Sequence, residues 1–189
     1  GGLALRLGDE PAKAREQFRR ITVALREQQP AADLASTEDI EAPGASGALP
    51  ARVYRPHSSA ATLLFFHGGG FILGDVESYD LQARTIAERT GMTVVSAEYR
   101  LAPENPYPAA ADDAESITRW AIENARRLGG DPARVIVGGD SAGGNLAAGC
   151  AQRVPGIAGQ LLVYPVTDFA GSTPSMTEHA GRPLLSAEA

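Results

Sequence analysis

Short apolar runs alternate with stretches of helical periodicity over most of this chain of 189 residues. Runs rich in β-branched, aromatic and leucine residues predict strands at residues 62–66, 93–97, 134–137 and 160–164. Helical patterns follow the first three runs, at residues 78–90, 109–128 and 142–153. Strands that alternate with helices in this way predict a mostly parallel sheet with helices on both faces, which is an α/β fold.

The region before these runs has a different pattern. Residues 11–28 predict one amphipathic helix, which ends before Pro30. Residues 36–50 are rich in Gly, Pro, Ala and Ser and predict a loop or an irregular edge segment. Residues 51–55 alternate apolar and polar side chains, as a half-exposed edge strand does.

A Gly-Asp-Ser-Ala-Gly motif lies between the third predicted strand and the helix that follows it. A serine on so sharp a turn is held above the edge of the sheet, in strained backbone geometry. Glycines two positions before and after the serine avoid clashes within the bend. An ordinary glycine-rich turn is the alternative interpretation. The motif residues are Gly139, Asp140, Ser141, Ala142 and Gly143.

A second glycine-rich motif, His67-Gly68-Gly69-Gly70, follows the first predicted strand. Backbone N–H groups in such a loop can point into a cavity and stabilise an oxyanion. A phosphate-binding loop is the alternative, but the segment lacks the Lys-Ser/Thr ending of a P-loop and the spacing of a dinucleotide fingerprint.

Together with Tyr99-Arg100-Leu101-Ala102-Pro103-Glu104 and Tyr107-Pro108-Ala109-Ala110, these motifs resemble the hormone-sensitive-lipase family of α/β-hydrolases, in its bacterial esterase branch. The resemblance covers nearly everything from about Leu49 onward. It implies an α/β-hydrolase fold and the hydrolysis of short- or medium-chain esters through an acyl-enzyme.

The resemblance also implies roles for single residues. Ser141 matches the nucleophile, and the backbone N–H groups of Gly69, Gly70 and Ala142 match the oxyanion hole. The aromatic ring of Phe71, just after the glycines, is expected to wall the substrate pocket, or else to be ordinary core. The motif residues with implied structural roles are His67, Gly68, Gly139, Asp140 and Gly143.

The acid and the base histidine of the family come after the serine in the chain. Only 48 residues follow Ser141, so we expect an incomplete form that lacks both, with the C-terminal part of the fold missing. A substitute triad, Ser141 with Asp168 and His179, has the correct chain order but lies in a Gly/Pro/Ser-rich segment. A non-catalytic ligand-binding form or a fragment of the same fold is the alternative to an enzyme.

The resemblance divides the chain into three parts. Residues 1–45 are expected to form an N-terminal helical or cap segment with a linker. Residues 46–169 are expected to form the α/β-hydrolase core, and residues 170–189 to begin a further loop or cap segment. The last predicted strand would leave an unpaired sheet edge, which could join a second copy of the chain or a complementary fragment.

Composition restricts the partners. A net charge of −6 and a pI near 5.1 argue against nucleic acid and anionic membrane surfaces. The basic residues within 13–20 have acidic neighbours and apolar residues at helical spacing (Phe18, Ile21, Leu25), so they predict a solvated helix face. A single cysteine, Cys150, fits a reducing compartment and predicts a cytoplasmic location. No stretch is apolar enough to span a membrane, and the sequence implies no metal or cofactor. The expected partner, a small-molecule ester, is what the resemblance implies.

Overall fold

The structure, a computed structural model, describes residues 10–59, 61–170 and 173–178. Its helices are α1 (Pro11–Glu27), α2 (Asp80–Thr90), α3 (Ala109–Glu123), α4 (Ala125–Leu128), α5 (Ala142–Arg153) and α6 (Pro174–Glu178). Its strands are β1 (Ser36–Gly44), β2 (Gly47–Arg55), β3 (Thr62–Phe66), β4 (Thr93–Ala97), β5 (Val135–Asp140) and β6 (Gly159–Val163). Within the described ranges, no helix has the length and apolar character needed to cross a bilayer.

The strands form one six-stranded sheet in the order β1-β2-β4-β3-β5-β6. Strands β3, β4, β5 and β6 run parallel, whereas β2 is antiparallel to both β1 and β4. This arrangement confirms the α/β fold with a mostly parallel sheet.

Each face of the sheet carries its own apolar core because successive side chains of a strand point to opposite faces. Leu64 and Phe66 of β3 pack on the side of α3 and α5, with Ile117 and Ala147. Leu63 and Phe65 pack on the opposite side with α2, where Phe18 of α1 also makes contact. Helices therefore cover both faces, as predicted.

The structure corrects three predictions about the elements. For residues 36–50 the loop alternative was wrong and the edge segment was correct, because β1 lies at the edge of the sheet and forms a regular hairpin with β2, pairing from Ser36 with Arg55 to Gly44 with Gly47. Residues 51–55 are not at the edge, since β2 lies between β1 and β4. The helix predicted over 109–128 is interrupted at Asn124, whose side chain donates to the Trp120 carbonyl and ends α3.

Candidate active site

The two glycine-containing motifs meet at the carboxyl edge of the sheet. Strands β3 and β5 are parallel neighbours, and Phe66 pairs with Gly139 in their register. The segment after Phe66 and the segment after Gly139 therefore leave the sheet side by side. Ligands of α/β proteins bind at this edge.

Ser141 occupies the turn between β5 and α5, as predicted. Its φ of 51° and ψ of −115° lie outside the ordinary regions for a residue with a side chain. Its N–H donates to the Val163 carbonyl over 2.9 Å, and its own carbonyl accepts from the N–H groups of Asn145 and Val166 over 3.1 Å. These bonds fix the strained backbone from β6, from α5 and from the segment after β6.

Close packing of the turn explains the glycines on either side of Ser141. A Cβ on Gly143 would overlap the carbonyl group of Phe66, which is backbone and cannot move aside. A Cβ on Gly139 would meet the backbone of Gly143 and the Phe66 carbonyl. The first turn of α5 therefore lies directly against the end of β3.

The glycine loop has a backbone that only glycine adopts readily. Gly69 and Gly70 have φ values of 120° and 63°. The Gly69 carbonyl accepts from the N–H groups of Ile72 and Leu73, over 3.1 and 2.9 Å, which folds the loop back on itself. In the part of the chain that the structure describes, the N–H groups of Gly69, Gly70 and Ala142 donate to no protein acceptor. These three N–H groups are therefore the candidate donors of an oxyanion hole.

Asp140 joins the two motifs. Its carboxylate accepts from the Gly68 N–H over 2.9 Å and from the Tyr79 hydroxyl over 3.2 Å. A Cβ on Gly68 would collide with this carboxylate. Burial raises the pKa of Asp140, and the two hydrogen bonds oppose that shift. The contacts are those of a brace between the turn and the glycine loop.

His67 is enclosed beneath the loop. Its ring stacks on Tyr99 with centroids 4.5 Å apart, and its Nδ1 lies 2.8 Å from the Gly68 carbonyl. Because a carbonyl can only accept, Nδ1 carries the proton and Nε2 does not. Burial lowers the pKa of His67 to about 4, so the ring is neutral at neutral pH. Nε2 is buried without a partner among the described residues, so this ring cannot serve as a base for an incoming ester.

The other histidines do not complete a triad in the described part of the chain. His57 lies before β3, at the opposite end of the sheet from Ser141, and its Nε2 is 3.0 Å from the exposed Asp33. Asp168 is exposed, and its carboxylate accepts from the Ala170 N–H over 2.7 Å. His179 lies outside the described residues, so the substitute triad stays a prediction.

Phe71 follows the glycines with a φ of 62°, and its ring is partly buried against the core. Its ring centroid lies 6.2 Å from that of Phe169, which is 71% exposed. Phe169 was not predicted as a site residue, because it follows the last strand in a segment without regular periodicity. An exposed aromatic ring beside the glycine loop is suited to contact an apolar substituent.

A groove of about 390 Å³ lies between α3, α5 and the segment after β6. Its lining includes Asn145 and Val166, whose N–H groups donate to the Ser141 carbonyl, but not Ser141 itself. The strained backbone belongs to Ser141 and not to the residues that line the groove. We therefore place the candidate site at the serine. Among the described residues, no three His, Cys, Asp or Glu side chains cluster to hold a metal ion.

A family profile for the α/β-hydrolase fold matches residues 63–189. The chain is 44% identical over 161 residues to Esterase LipI of Mycobacterium tuberculosis, an alignment that covers 80% of this chain and 50% of that protein. It is 46% identical over 145 residues to Carboxylesterase NlhH of the same organism, covering 72% and 46%. The chain thus spans about half the length of these relatives.

Solved structures resemble the fold closely. The esterase of Pyrobaculum calidifontis superposes with a TM-score of 0.85 at 38% identity, covering 96% of this chain and 62% of that one. The carboxylesterase EstE1, cloned from a metagenomic library, gives a TM-score of 0.87 at 35% identity and covers 97% and 65%.

Proposed function

Because this chain belongs to the hormone-sensitive-lipase-like α/β-hydrolases, we propose that it supplies the nucleophile and the oxyanion-binding backbone of a carboxylic ester hydrolase. The observation that carries the proposal is the turn of Ser141, with a φ of 51°, beside the N–H groups of Gly69, Gly70 and Ala142, which donate to no acceptor among the described residues. Relatives named as esterases and carboxylesterases support it. The proposed substrates are small esters of short or medium acyl chains.

The proposed reaction proceeds in two steps. The Ser141 oxygen attacks the ester carbonyl carbon, loses its proton to a base, and the bond to the alcohol oxygen breaks as that oxygen takes up a proton. Water then attacks the acyl-enzyme, releases the carboxylic acid and restores the serine. In both steps the three backbone N–H groups donate to the carbonyl oxygen while it carries negative charge.

A second candidate function is reversible binding of a carbonyl compound. It is favoured by one observation: neither described histidine offers a free nitrogen to Ser141, since His67 is enclosed and His57 lies at the other end of the sheet. A serine without a base is a weak nucleophile, although an oxyanion hole alone retains some catalysis over water.

The first experiment is hydrolysis of a p-nitrophenyl ester of butyric acid by the purified chain, beside Ser141→Ala. The matched control is Ser116→Ala, which removes a hydroxyl on α3 that donates to the Pro43 carbonyl of β1. The esterase proposal expects turnover that Ser141→Ala abolishes and Ser116→Ala leaves unchanged. Equal, slow rates in all three proteins would contradict it.

A second measurement separates weak reactivity from binding. A p-nitrophenyl alkylphosphonate labels a nucleophilic serine once and releases nitrophenol, so intact mass and peptide mapping report the modified residue. The esterase proposal expects one adduct, on Ser141. The binding function would be favoured instead by two results together: no phosphonate adduct on Ser141, and reversible binding of the ketone analogue of the ester that is retained in Ser141→Ala.

Other features belong to the same proposal. The outer edge of β6, which no other described strand covers, is the proposed place for pairing with a second copy of the chain or with a complementary polypeptide. The division into an N-terminal cap segment at 1–45, a core at 46–169 and a further segment at 170–189 stays a prediction, although β1 within the first segment pairs with the sheet. The cytoplasmic location and the absence of nucleic-acid partners also stay predictions.

A further inference from the structure

Helix α1 lies against the segment that follows the glycine loop, and three of its arginines form hydrogen bonds or ion pairs with residues outside the helix. Arg15, Arg19 and Arg26 are spaced by four and seven residues, which puts them on one face of the helix. Only Ala14 of this helix is fully buried. The partners of these arginines are the Ile72 carbonyl and Glu104 for Arg15, Asp75 for Arg19, and Glu77 and Asp80 for Arg26.

Arg15 makes the largest set of hydrogen bonds among them. Its Nε donates to the Ile72 carbonyl over 2.7 Å, and one terminal nitrogen donates to the Ala102 carbonyl over 2.7 Å. The two terminal nitrogens bind the two carboxylate oxygens of Glu104, over 2.8 and 2.7 Å. One rigid guanidinium thus holds three separate groups, which a lysine ammonium cannot reproduce with the same geometry.

Two of these groups belong to the support of the glycine loop. Ile72 is the residue whose N–H donates to the Gly69 carbonyl, and the Ala102 N–H donates to the Phe71 carbonyl over 2.8 Å. Arg15 binds the carbonyl groups of these same two residues from the outer side. A displacement of either residue would move the backbone on which the Gly69 and Gly70 N–H groups are carried.

We propose that Arg15 is a positioning residue whose guanidinium fixes the glycine loop, and through it the direction of the Gly69 and Gly70 N–H groups toward Ser141. The structural part stands on the contacts above, and its consequence for ester chemistry rests on the proposed function. The simpler alternative is that Arg15 only anchors α1 to the surface. That alternative leaves the loop unchanged when the arginine is lost.

Hydrogen exchange measured by mass spectrometry tests the loop directly. The reporters are the amides of Ile72, Leu73 and Ala102, each of which donates to a carbonyl of the loop. In Arg15→Ala we expect the exchange of these amides to quicken by roughly tenfold or more. Local opening of the loop must break the guanidinium contacts in the wild type but not in the variant, so opening costs less free energy in the variant. The control is Arg55→Ala, since Arg55 is equally buried (25% exposed against 26%) but pairs with Glu38 on the hairpin.

Unchanged exchange at the three reporters in Arg15→Ala overturns the proposal. Equal quickening in Arg15→Ala and Arg55→Ala, spread over the whole chain, also overturns it, because it reveals only a general loss of stability. Two milder variants keep the test decisive if Arg15→Ala does not fold. Glu104→Gln leaves the two carbonyl contacts of Arg15 in place, whereas Arg15→Lys loses the planar guanidinium. Exchange should therefore quicken less in Glu104→Gln than in Arg15→Lys. Exchange at the wild-type rate in both variants would refute the positioning role.

Phosphonate labelling of Ser141 tests the chemical consequence. We expect the rate to fall about tenfold or more in Arg15→Ala, since a small misplacement of oxyanion donors is costly, and to be unchanged in Arg55→Ala. If no variant and no wild-type protein is labelled, the proposed ester chemistry fails while altered exchange still supports the positioning role. If labelling occurs but neither rate nor exchange responds to Arg15, the positioning role fails and the ester chemistry stands.

Discussion

Gly143 and Gly149 lie on the same helix but in different surroundings, which makes them a matched pair. A Cβ at Gly143 would overlap the Phe66 carbonyl, whereas nothing lies within 4 Å of a Cβ at Gly149. Gly143→Ala should lower the free energy of unfolding by about 3 kcal/mol, since backbone on both sides must move. Gly149→Ala should raise it by about 1 kcal/mol through helix propensity.

Urea denaturation followed by circular dichroism measures both changes. Two variants with the same sign and size would mean that α5 does not pack against the end of β3 as closely as the structure indicates. Loss of Ser141 labelling in Gly143→Ala, with labelling retained in Gly149→Ala, would connect the same packing to the site.

Asp140 gives a pH dependence with a definite sign. Burial raises its pKa in the folded state, despite the opposing bonds from Gly68 and Tyr79, so the folded protein binds this proton more tightly than the unfolded chain does. The contribution of Asp140 to the free energy of unfolding therefore falls as the pH rises through the interval between the two pKa values, and is constant above it. Asp140→Asn removes that dependence.

The measurement is the difference in free energy of unfolding between wild type and Asp140→Asn, from urea melts between pH 4 and pH 7 (about the range that brackets a raised aspartate pKa). We expect the difference to shift in favour of the variant as the pH rises. A difference that shifts in favour of the wild type would show that the hydrogen bonds outweigh burial.

Local sequence predicted the serine turn and the glycine loop because both depend on a few neighbouring residues. Arg15 could not be recognised in the same way. The charge run at 13–20 predicted a solvated face, yet Arg15 binds groups 57 to 89 positions away. Leu25, expected to be part of an apolar stripe, is 51% exposed. Partners so remote in sequence are brought together by the tertiary fold, and the helical periodicity of residues 13–20 carries no information about them.

At the scale of elements, one buried carboxylate connects the sheet with two helices. Asp80 of α2 is fully buried and accepts from Tyr54 and Arg52 of β2, over 2.8 and 2.9 Å, from Arg84 over 2.7 Å, and from Arg26 of α1 over 3.2 Å. Burial alone would raise the pKa of Asp80, but these bonds lower it overall. The ionised form is therefore the one that the fold stabilises.

Asp80→Asn should lower the free energy of unfolding at pH 7 by about 3 kcal/mol, because it removes the buried charge that three partly buried arginines share. Arg26 and Arg52 keep Glu77 as a partner, so the loss falls mainly on the Arg84 pair. Glu38→Gln, at the exposed pair with Arg55, should cost no more than about 1 kcal/mol. Since the pKa of Asp80 is lowered on folding, its contribution is present above the ordinary aspartate pKa and is lost as the pH falls through the folded value. Similar small losses in both variants at pH 7 would contradict the assignment.

The hairpin of β1 and β2 shows why the sequence left residues 36–50 open between a loop and an irregular edge segment. Apart from Ala42, β1 is exposed or only partly buried, so it lacks the apolar alternation that identifies a strand. It is held by pairing with β2 along its whole length. By contrast, the strands β3 and β4 are buried at every position and were predicted with their correct bounds.

At the scale of the whole molecule, the two edges of the sheet differ in how they discourage association. The outer strand β1 carries Glu38, Asp39 and Glu41, and charges on an edge strand oppose pairing with another chain. The outer strand β6 has the sequence GQLLV, without a charge, and Leu161 is 38% exposed. Among the described strands, β6 pairs only with β5.

This asymmetry predicts association through β6 rather than β1. Sedimentation velocity over a wide range of concentration should show reversible self-association of the chain. The outer edge of β6, which no other described strand covers, offers backbone groups and the exposed Leu161 to a second copy. Leu161→Lys should weaken the association by placing a charge on that edge. Thr37→Lys, on the exposed surface of β1, should leave it unchanged. A chain that remains monomeric at every concentration, or one for which Thr37→Lys acts as strongly as Leu161→Lys, would mean that β6 is not the interacting edge.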